Sequence, residues 1–266
     1  VTAAQPLVRT RVFAGGERES LPAQAAAEAE VQLNVNGEAW LGFHCSPVDL
    51  EALGVGFLFN EGFIETAGEV ASLRVCDAGD QIDVWLAHAV EKPQQWSRTS
   101  GCQGGVVRPG APSTGAVRST MVVSGEALFA RVDAFLTSLA AQDGHSQGLH
   151  TSMLFEQDEV RWVSRDIGRH NTLDKIAGAS VLGGRRLHEP SLITTGRISE
   201  EMVAKAARMG IPLVMSLHSA SDRAVEAADR LEITLVGHAR RSQMDVYAHP
   251  ERILFEKKQN TRLNVD

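Results

Sequence analysis

Residues Ser191 to His238, "SLITTGRISEEMVAKAARMGIPLVMSLHSASDRAVEAADRLEITLVGH", decide the fold. Three short apolar runs, "SLITT", "IPLVMSL" and "EITLVGH", alternate with two helical ones, "SEEMVAKAARMG" and "SDRAVEAADRL". The pattern is βαβαβ. Short helical crossovers between apolar strands imply a mostly parallel sheet covered on both faces, with ligands gathering at the carboxyl ends of the strands. Those ends are "TTGRIS", "SLHSAS" and "GHARRSQ".

Upstream, "SGEALFARVDAFLTSLAAQDG" opens with Ser124 and carries Leu128, Val132, Phe135, Leu136 and Leu139 at helical spacing, closing at Gly144. The front of the chain is strand-rich. "VQLNV" and "EAWLGFHC" flank Asn36-Gly37, which supplies the positive φ of a type I′ turn, so residues 31–45 read as a hairpin. "VASLRVC" and "QIDVWLAH" form a second hairpin turning at "DAGD". Between the two lies "SPVDLEALGVGFLFNEGFI". Here Ser46 reads as a cap, Pro47 as the first helical residue, and Leu50, Leu53 and Phe57 as one face of a helix ending near Gly62. The stretch "EKPQQWSRTSGCQGGVVRPGAPSTGAV" has no periodicity and reads as a long exposed connection, functional or disordered.

Composition bounds the function. With 266 residues, 43% of them hydrophobic and 22% charged, the chain can bury one large core or two modest ones. A formal charge of -7 argues against a general binder of nucleic acid or anionic membrane, which would carry a basic excess. No apolar run approaches the roughly 20 residues of a membrane span, and the N-terminus lacks the basic flank and apolar stretch of a signal peptide. Three cysteines without a close pair fit neither a disulfide framework nor a zinc knuckle, and a reducing cytoplasm is the expected compartment.

Of these, Cys45 and Cys76 end apolar strands and read as small buried hydrophobes. Cys102 differs, because its stretch "SRTSGCQGG" is made mostly of small residues, with Arg98 before it and Arg108 after it. Guanidinium groups and free amides stabilise a thiolate, so Cys102 reads as a displayed, reactive thiol. In "SRDIGRHNTLDKIAG", His170, Asn171 and Asp174 cluster with Arg165, Asp166, Arg169 and Lys175 at a helix start. They make either a capped first turn or a polar wall facing a ligand. His150 is open to three readings: metal ligand, acid-base group or core histidine. A deaminase-type zinc site is disfavoured, because Ser152 stands where its Glu would be and no Pro-Cys-x-x-Cys follows. Gly196 and Arg197 precede a helix capped by Ser199, and Arg240 and Arg241 follow the last apolar strand. Together they suggest a large phosphorylated small molecule.

The stretches "RTSGC", "GLHTSMLF", "RDIGRHNTLDKIAG", "GRISEEMVAKAARMGIPLVMS", "AVEAADRLEITLVGHAR" and "VYAHPERI", with "SPVDLEALGVGFLFNEGFI" nearer the front, resemble the FdhD/NarQ family of formate dehydrogenase accessory sulfurtransferases. The likeness runs from about Ser46 to Ile253. It implies a cytidine-deaminase-like α/β domain without zinc over 116–266, with a mixed, mostly parallel sheet. A smaller α+β domain over 1–115 would precede it and end in the Cys102 loop, in a homodimer. The same resemblance implies that the chain accepts sulfane sulfur from a cysteine desulfurase as a persulfide. It would then pass that sulfur to the molybdenum or tungsten bis(molybdopterin guanine dinucleotide) cofactor of formate dehydrogenase.

Carried over residue by residue, the resemblance puts the persulfide on Cys102. It puts the guanine dinucleotide at His238, Ala239, Arg240, Arg241, Ser242 and Gln243, with Gly196 and Arg197 on the same edge. Two departures stand out. The family's loop commonly reads Cys-Gly-x-Cys-Gly, whereas here Gln103 replaces the Gly and Gly105 the second Cys, which removes any relay between two loop thiols. The cofactor turn usually resembles Phe-x-Arg-Gly-x-Arg, and this chain reads "HARRSQ". Two other functions compete with sulfur transfer: a chaperone that binds the molybdenum cofactor without transferring sulfur, and a zinc-dependent nucleoside-processing enzyme.

Overall fold

The computed structural model describes residues 4–98, 106–107, 115–141, 148–184 and 187–255. Strands β1 (Ala4–Val12) and β2 (Arg18–Ala26) form a hairpin that pairs only with itself among the described residues. Next, β3 (Ala29–Val35) and β4 (Glu38–Cys45) meet across Asn36 and Gly37, whose φ values of 50° and 82° are those the Asn-Gly turn requires. Helix α1 (Leu50–Asn60) starts later than the Ser46-Pro47 reading places it, and Asp49 at its N-cap makes no side-chain cap bond. The reason lies 120 residues away. Ser46 donates its N–H to Asp166 Oδ2 (3.1 Å) and accepts from Lys175 Nζ on its carbonyl (3.0 Å), so its backbone is already committed before the helix begins.

Strands β5 (Val70–Val75) and β6 (Gln81–Leu86) form the second expected hairpin and complete a four-stranded sheet, β4-β3-β6-β5. Within the connection read as structureless, β7 (Ser97–Arg98) pairs antiparallel with β8 (Val106–Val107). This ladder joins the two ends of 99–105. Those residues, Cys102 among them, lie outside the described residues. After β9 (Val123–Ser124) comes α2 (Gly125–Ala140), capped as expected by Ser124 Oγ accepting from Ala127 N–H at 3.1 Å.

The remaining elements are β10 (His150–Glu156), β11 (Glu159–Asp166), α3 (Arg169–Leu182), β12 (Pro190–Thr194), α4 (Glu200–Arg208), β13 (Leu213–Ser216), α5 (Asp222–Arg230), β14 (Thr234–Gly237), β15 (Asp245–Ala248) and β16 (Ile253–Leu254). Six of the strands form one sheet in the order β11-β10-β12-β13-β14-β15. Only β12, β13 and β14 run parallel, and β10, β11 and β15 join antiparallel. The sheet is therefore mixed rather than mostly parallel. Parallel neighbours need helical crossovers, which α4 and α5 alone supply, whereas β11 and β15 follow their neighbours through turns.

Alternation along the strands divides the sheet's two faces. Leu154, Leu192, Val214 and Leu235 pack against Leu173, Ile176, Met202, Val203, Ala224 and Ala228 of α3, α4 and α5. Met153, Phe155, Ile193, Met215 and Val236 pack against Leu128, Val132 and Phe135 of α2. Helix α1 is apolar on nearly every side because it is sandwiched: Leu53, Phe57 and Leu58 join the core of the four-stranded sheet, and the opposite side lies on α3. At that crossing the backbones touch. A Cβ on Gly56 would stand 1.7 Å from the Asp174 carbonyl oxygen, and one on Gly178 would stand 1.9 Å from that of Ala52.

Candidate functional site

The carboxyl ends of β12, β13 and β14 lie side by side, tied by backbone bonds from Leu217 N–H to Thr194 O (3.1 Å), Ala239 N–H to Ser216 O (2.9 Å) and His238 N–H to His218 O (3.0 Å). The loops "TTGRIS", "SLHSAS" and "GHARRSQ" thus share one edge, as the βαβαβ reading expects. A parallel bridge between Ile198 and Ala220 continues the pairing beyond the strands.

Beneath the edge lies a network of buried hydroxyls. Ser152 Oγ is 2.7 Å from Thr172 Oγ1 and 2.9 Å from Thr194 Oγ1, Gly196 N–H donates to Thr194 Oγ1 (3.1 Å), and Ser216 Oγ donates to Gly196 O (2.7 Å). These bonds hold the Gly196 turn rigid against the side chain of Arg169, which a Cβ on Gly196 would meet at 2.9 Å. Arg197, next along, is exposed and makes no hydrogen bond or ion pair among the described residues.

The other two predicted arginines are engaged. Arg240 Nη1 donates to Leu217 O (2.6 Å) and Ala239 O (2.8 Å), while its backbone N–H donates to Gln243 O (2.8 Å), closing the turn that contains Ser242. Arg241 pairs with Asp133 of α2. Both side chains stay exposed, so each can turn toward an anion at the expense of a weak surface contact. Ala239 is fully buried and offers backbone only. His238 has φ 47°, and its Nδ1 lies 2.9 Å from Asp245 Oδ2 and 3.2 Å from Tyr247 OH of β15.

His150 reaches the same edge, with Nδ1 3.5 Å from Thr195 Oγ1. Burial, then the nearby charges of Arg169 and His218, hold its pKa below the ordinary imidazole value. His170 is buried, with Nε2 3.3 Å from Ser199 Oγ. Burial, reinforced by Lys205 and Arg169, pushes its pKa down to about 3, so it is neutral at physiological pH. Among the described residues no group of three His, Cys, Asp or Glu is arranged to hold a metal ion.

Asp166, Asn171, Asp174 and Lys175 of the same stretch bond instead to the front of the chain and to one another. Asp166 accepts four bonds, from Gly168 N–H (2.8 Å) and Asn171 Nδ2 (2.8 Å) on one oxygen and from Ser46 N–H (3.1 Å) and Lys175 Nζ (2.6 Å) on the other. Asp174 accepts from Lys205 Nζ at 2.7 and 2.6 Å and from Asn60 Nδ2 at 2.7 Å. Burial pushes the Asp174 pKa up, while Lys205 and Asn60 pull it down. These residues form neither a simple cap nor a ligand wall. They are a polar seam binding the four-stranded sheet and α1 to the six-stranded sheet.

Cys45 is buried, and burial together with the Asp166 charge pushes its thiol up to about 12, which leaves it unreactive. Cys76 donates its S–H to Asp80 Oδ1 at 2.9 Å. A groove of about 1500 Å³ opens at the opposite end of the parallel strands, lined by Phe59, Glu65, Arg118, Glu189, Arg208 and Met209. None of the predicted residues lines it. The sequence reading missed Asp133, Asp245, Tyr247 and the Ser152–Thr172–Thr194 hydroxyls, whose roles arise only from tertiary pairing.

An α/β protein with its basic and histidine-bearing loops at one sheet edge, and no metal cluster among the described residues, is the class that fold and site define. Over residues 26–254 the sequence matches the FdhD/NarQ family, and the chain belongs to that family. It is 32% identical over 250 residues to the sulfur carrier protein FdhD of Shouchella clausii, covering 91% of this chain and 94% of that one. With the sulfur carrier protein FdhD of Bacillus subtilis it shares 29% identity over 246 residues, 90% and 93% of the two chains. A crystal structure assigned as a formate dehydrogenase accessory protein from Desulfotalea psychrophila superposes with a TM-score of 0.78 at 26% identity, covering 95% of this chain and all of the other.

Proposed function

We propose that this chain is a sulfurtransferase that carries sulfur to a formate dehydrogenase. The observation that carries the reading is the family match across 26–254, with curated relatives named as sulfur carriers. In this reading the Cys102 thiolate attacks the outer sulfur of a persulfide on a cysteine desulfurase, the donor cysteine leaves as thiolate, and Cys102 becomes the persulfide. That sulfur passes to the molybdenum or tungsten bis(molybdopterin guanine dinucleotide), which is bound substrate rather than resident cofactor: the Cys102 thiolate is the leaving group, and the reduced metal centre of the substrate would supply the two electrons that take sulfane sulfur to sulfide. The catalytic subunit of formate dehydrogenase then receives the sulfurated group. The unreactive Cys45 and the Asp80-bound Cys76 support giving the chemistry to Cys102.

For the phosphates of the guanine dinucleotide, the residues present fit a polyanion. Arg197 is exposed and unengaged among the described residues, and Arg240 and Arg241 are exposed beside the turn from His238 to Gln243. Gly196 brings backbone to the same edge. The cytoplasm and a homodimer complete the proposal.

The test is incubation with a cysteine desulfurase and radiolabelled cysteine. Reductant-labile label should appear on the protein and vanish in Cys102→Ala. Label unchanged by that substitution refutes the role given to Cys102. Gly105, standing in place of a second loop cysteine, favours the alternative of a non-transferring chaperone, for which cofactor would bind and no label would appear.

A further inference from the structure

The ladder of β7 and β8 holds two residue pairs, Ser97 with Val107 and Arg98 with Val106, and a two-stranded ribbon of that length is at best marginally stable by itself in water. Something outside the ladder must hold it in place. Trp96 is the last described side chain before it, and its indole packs on the core of the four-stranded sheet. Its ring centroid lies 5.6 Å from that of Phe57 on α1, 6.3 Å from that of Trp40 on β4 and 6.4 Å from that of Phe63, all at tilted or edge-on angles. Those three neighbours are buried, and Trp40 and Phe63 also meet edge to face at 4.8 Å.

The aromatic cluster is fastened to the polar seam as well. Lys205 Nζ stands 5.8 Å from the centroid of the Phe57 ring while it bonds Asp174 of α3. The indole N–H of Trp96 is buried and has no acceptor among the described residues, so ring surface rather than a hydrogen bond supplies its hold. A phenyl ring offers contact of the same kind, and a methyl group does not.

We propose that Trp96 is a positioning residue for sulfur transfer: its ring pins the root of the thiol-bearing segment to α1 and the four-stranded sheet, and so sets where Cys102 is presented. The inference rests on the reading of Cys102 as the sulfur carrier. Trp96 takes no part in the chemistry itself. It acts on the rate, because misplacing a reacting group by about 1 Å can cost about a hundredfold.

Wild type, Trp96→Phe and Trp96→Ala are compared in two measurements. Hydrogen exchange, followed by mass spectrometry, should be about tenfold faster at 97–98 and 106–107 in Trp96→Ala and unchanged in Trp96→Phe. Time courses of reductant-labile label, taken up from a cysteine desulfurase with radiolabelled cysteine, should be about tenfold slower in Trp96→Ala yet reach the same final label, with Trp96→Phe close to the wild type. If Trp96→Ala does not fold, Trp96→Leu, which keeps apolar bulk without the ring, carries the same expectations. A variant as fast as the wild type, or Trp96→Phe as slow as Trp96→Ala, overturns this inference and leaves the transfer reading standing. A lower final label at an unchanged rate marks a merely weakened fold and overturns it too. No label on the wild type overturns both.

Discussion

Gly56→Ala sets two known effects against each other. In an isolated helix, replacing Gly by Ala stabilises by about 1 kcal/mol. Here the new methyl would lie 1.7 Å from the Asp174 carbonyl oxygen and 2.5 Å from the Gly178 nitrogen, both backbone atoms with no rotamer to change. Ordinary contact requires α1 and α3 to separate by roughly 1.5 Å. That movement stretches the Asn60–Asp174, Ser46–Asp166 and Lys175–Ser46 bonds, which span the same seam at 2.7, 3.1 and 3.0 Å. Overpacking costs about 1–3 kcal/mol, and each weakened bond to a buried charge about 1.5–3 kcal/mol. The clash therefore outweighs the propensity gain, and a net loss of at least about 3 kcal/mol is expected. Equilibrium unfolding in urea, followed by circular dichroism, reads it directly. Gly178→Ala should behave alike, and the double variant should cost less than the sum because both open one crossing. Gly15→Ala, with nothing within 4 Å, is the neutral control. A Gly56→Ala protein as stable as the wild type would refute the backbone contact between α1 and α3.

Asp166→Asn should cost about 3–5 kcal/mol, because Lys175 keeps its charge in a buried site after losing its carboxylate. Adding Lys175→Met should recover part of this in the same urea assay, and no recovery would disprove the pairing argument. The low pKa of His170 has a definite sign: the unfolded imidazole binds a proton below about 6.5 while the folded one resists it to about 3, so stability falls as pH drops through that window. The slope reaches at most about 1.4 kcal/mol per pH unit. Comparing urea midpoints of wild type and His170→Gln at pH 7, 6 and 5 isolates it, and identical slopes would count against the buried neutral state. Ser221→Ala removes the oxygen that accepts from Ala224 N–H at 3.2 Å and should lower stability by about 1 kcal/mol, visible as a modest shift in thermal midpoint.

What could be read from the sequence was what local periodicity encodes. The run from Ser191 to His238 and the Asn36-Gly37 hairpin carry their patterns within a few residues, and the structure follows them. The loop edge followed from the same pattern. The start of α1 was misplaced because Ser46 answers to Asp166 and Lys175, 120 and 129 residues away, and no local cap signal reveals that. The sheet direction was overstated because the reading rested on Ser191 to His238 alone, whereas β10, β11 and β15 lie outside that run and join antiparallel. At the edge, Arg240 and Arg241 were legible as cations but not as groups already bonded to Leu217 O and Asp133. Asp174 and Lys175 looked like site chemistry because a charged turn at a helix start has the same spelling whether it meets a ligand or a second sheet.

The seam of Asp166, Lys175, Asp174 and Lys205 also governs how the protein can be cut. A fragment ending before α3 would leave the Ser46 amide and the inner face of α1 open to water, and one beginning after β8 would keep the Asp166–Lys175 and Asp174–Lys205 pairs but strip from them the Ser46 and Asn60 partners that complete their hydrogen bonding. Front and back are thus obliged to melt together, because the bonds from Ser46 and Asn60 tie the first sheet to the helices of the second.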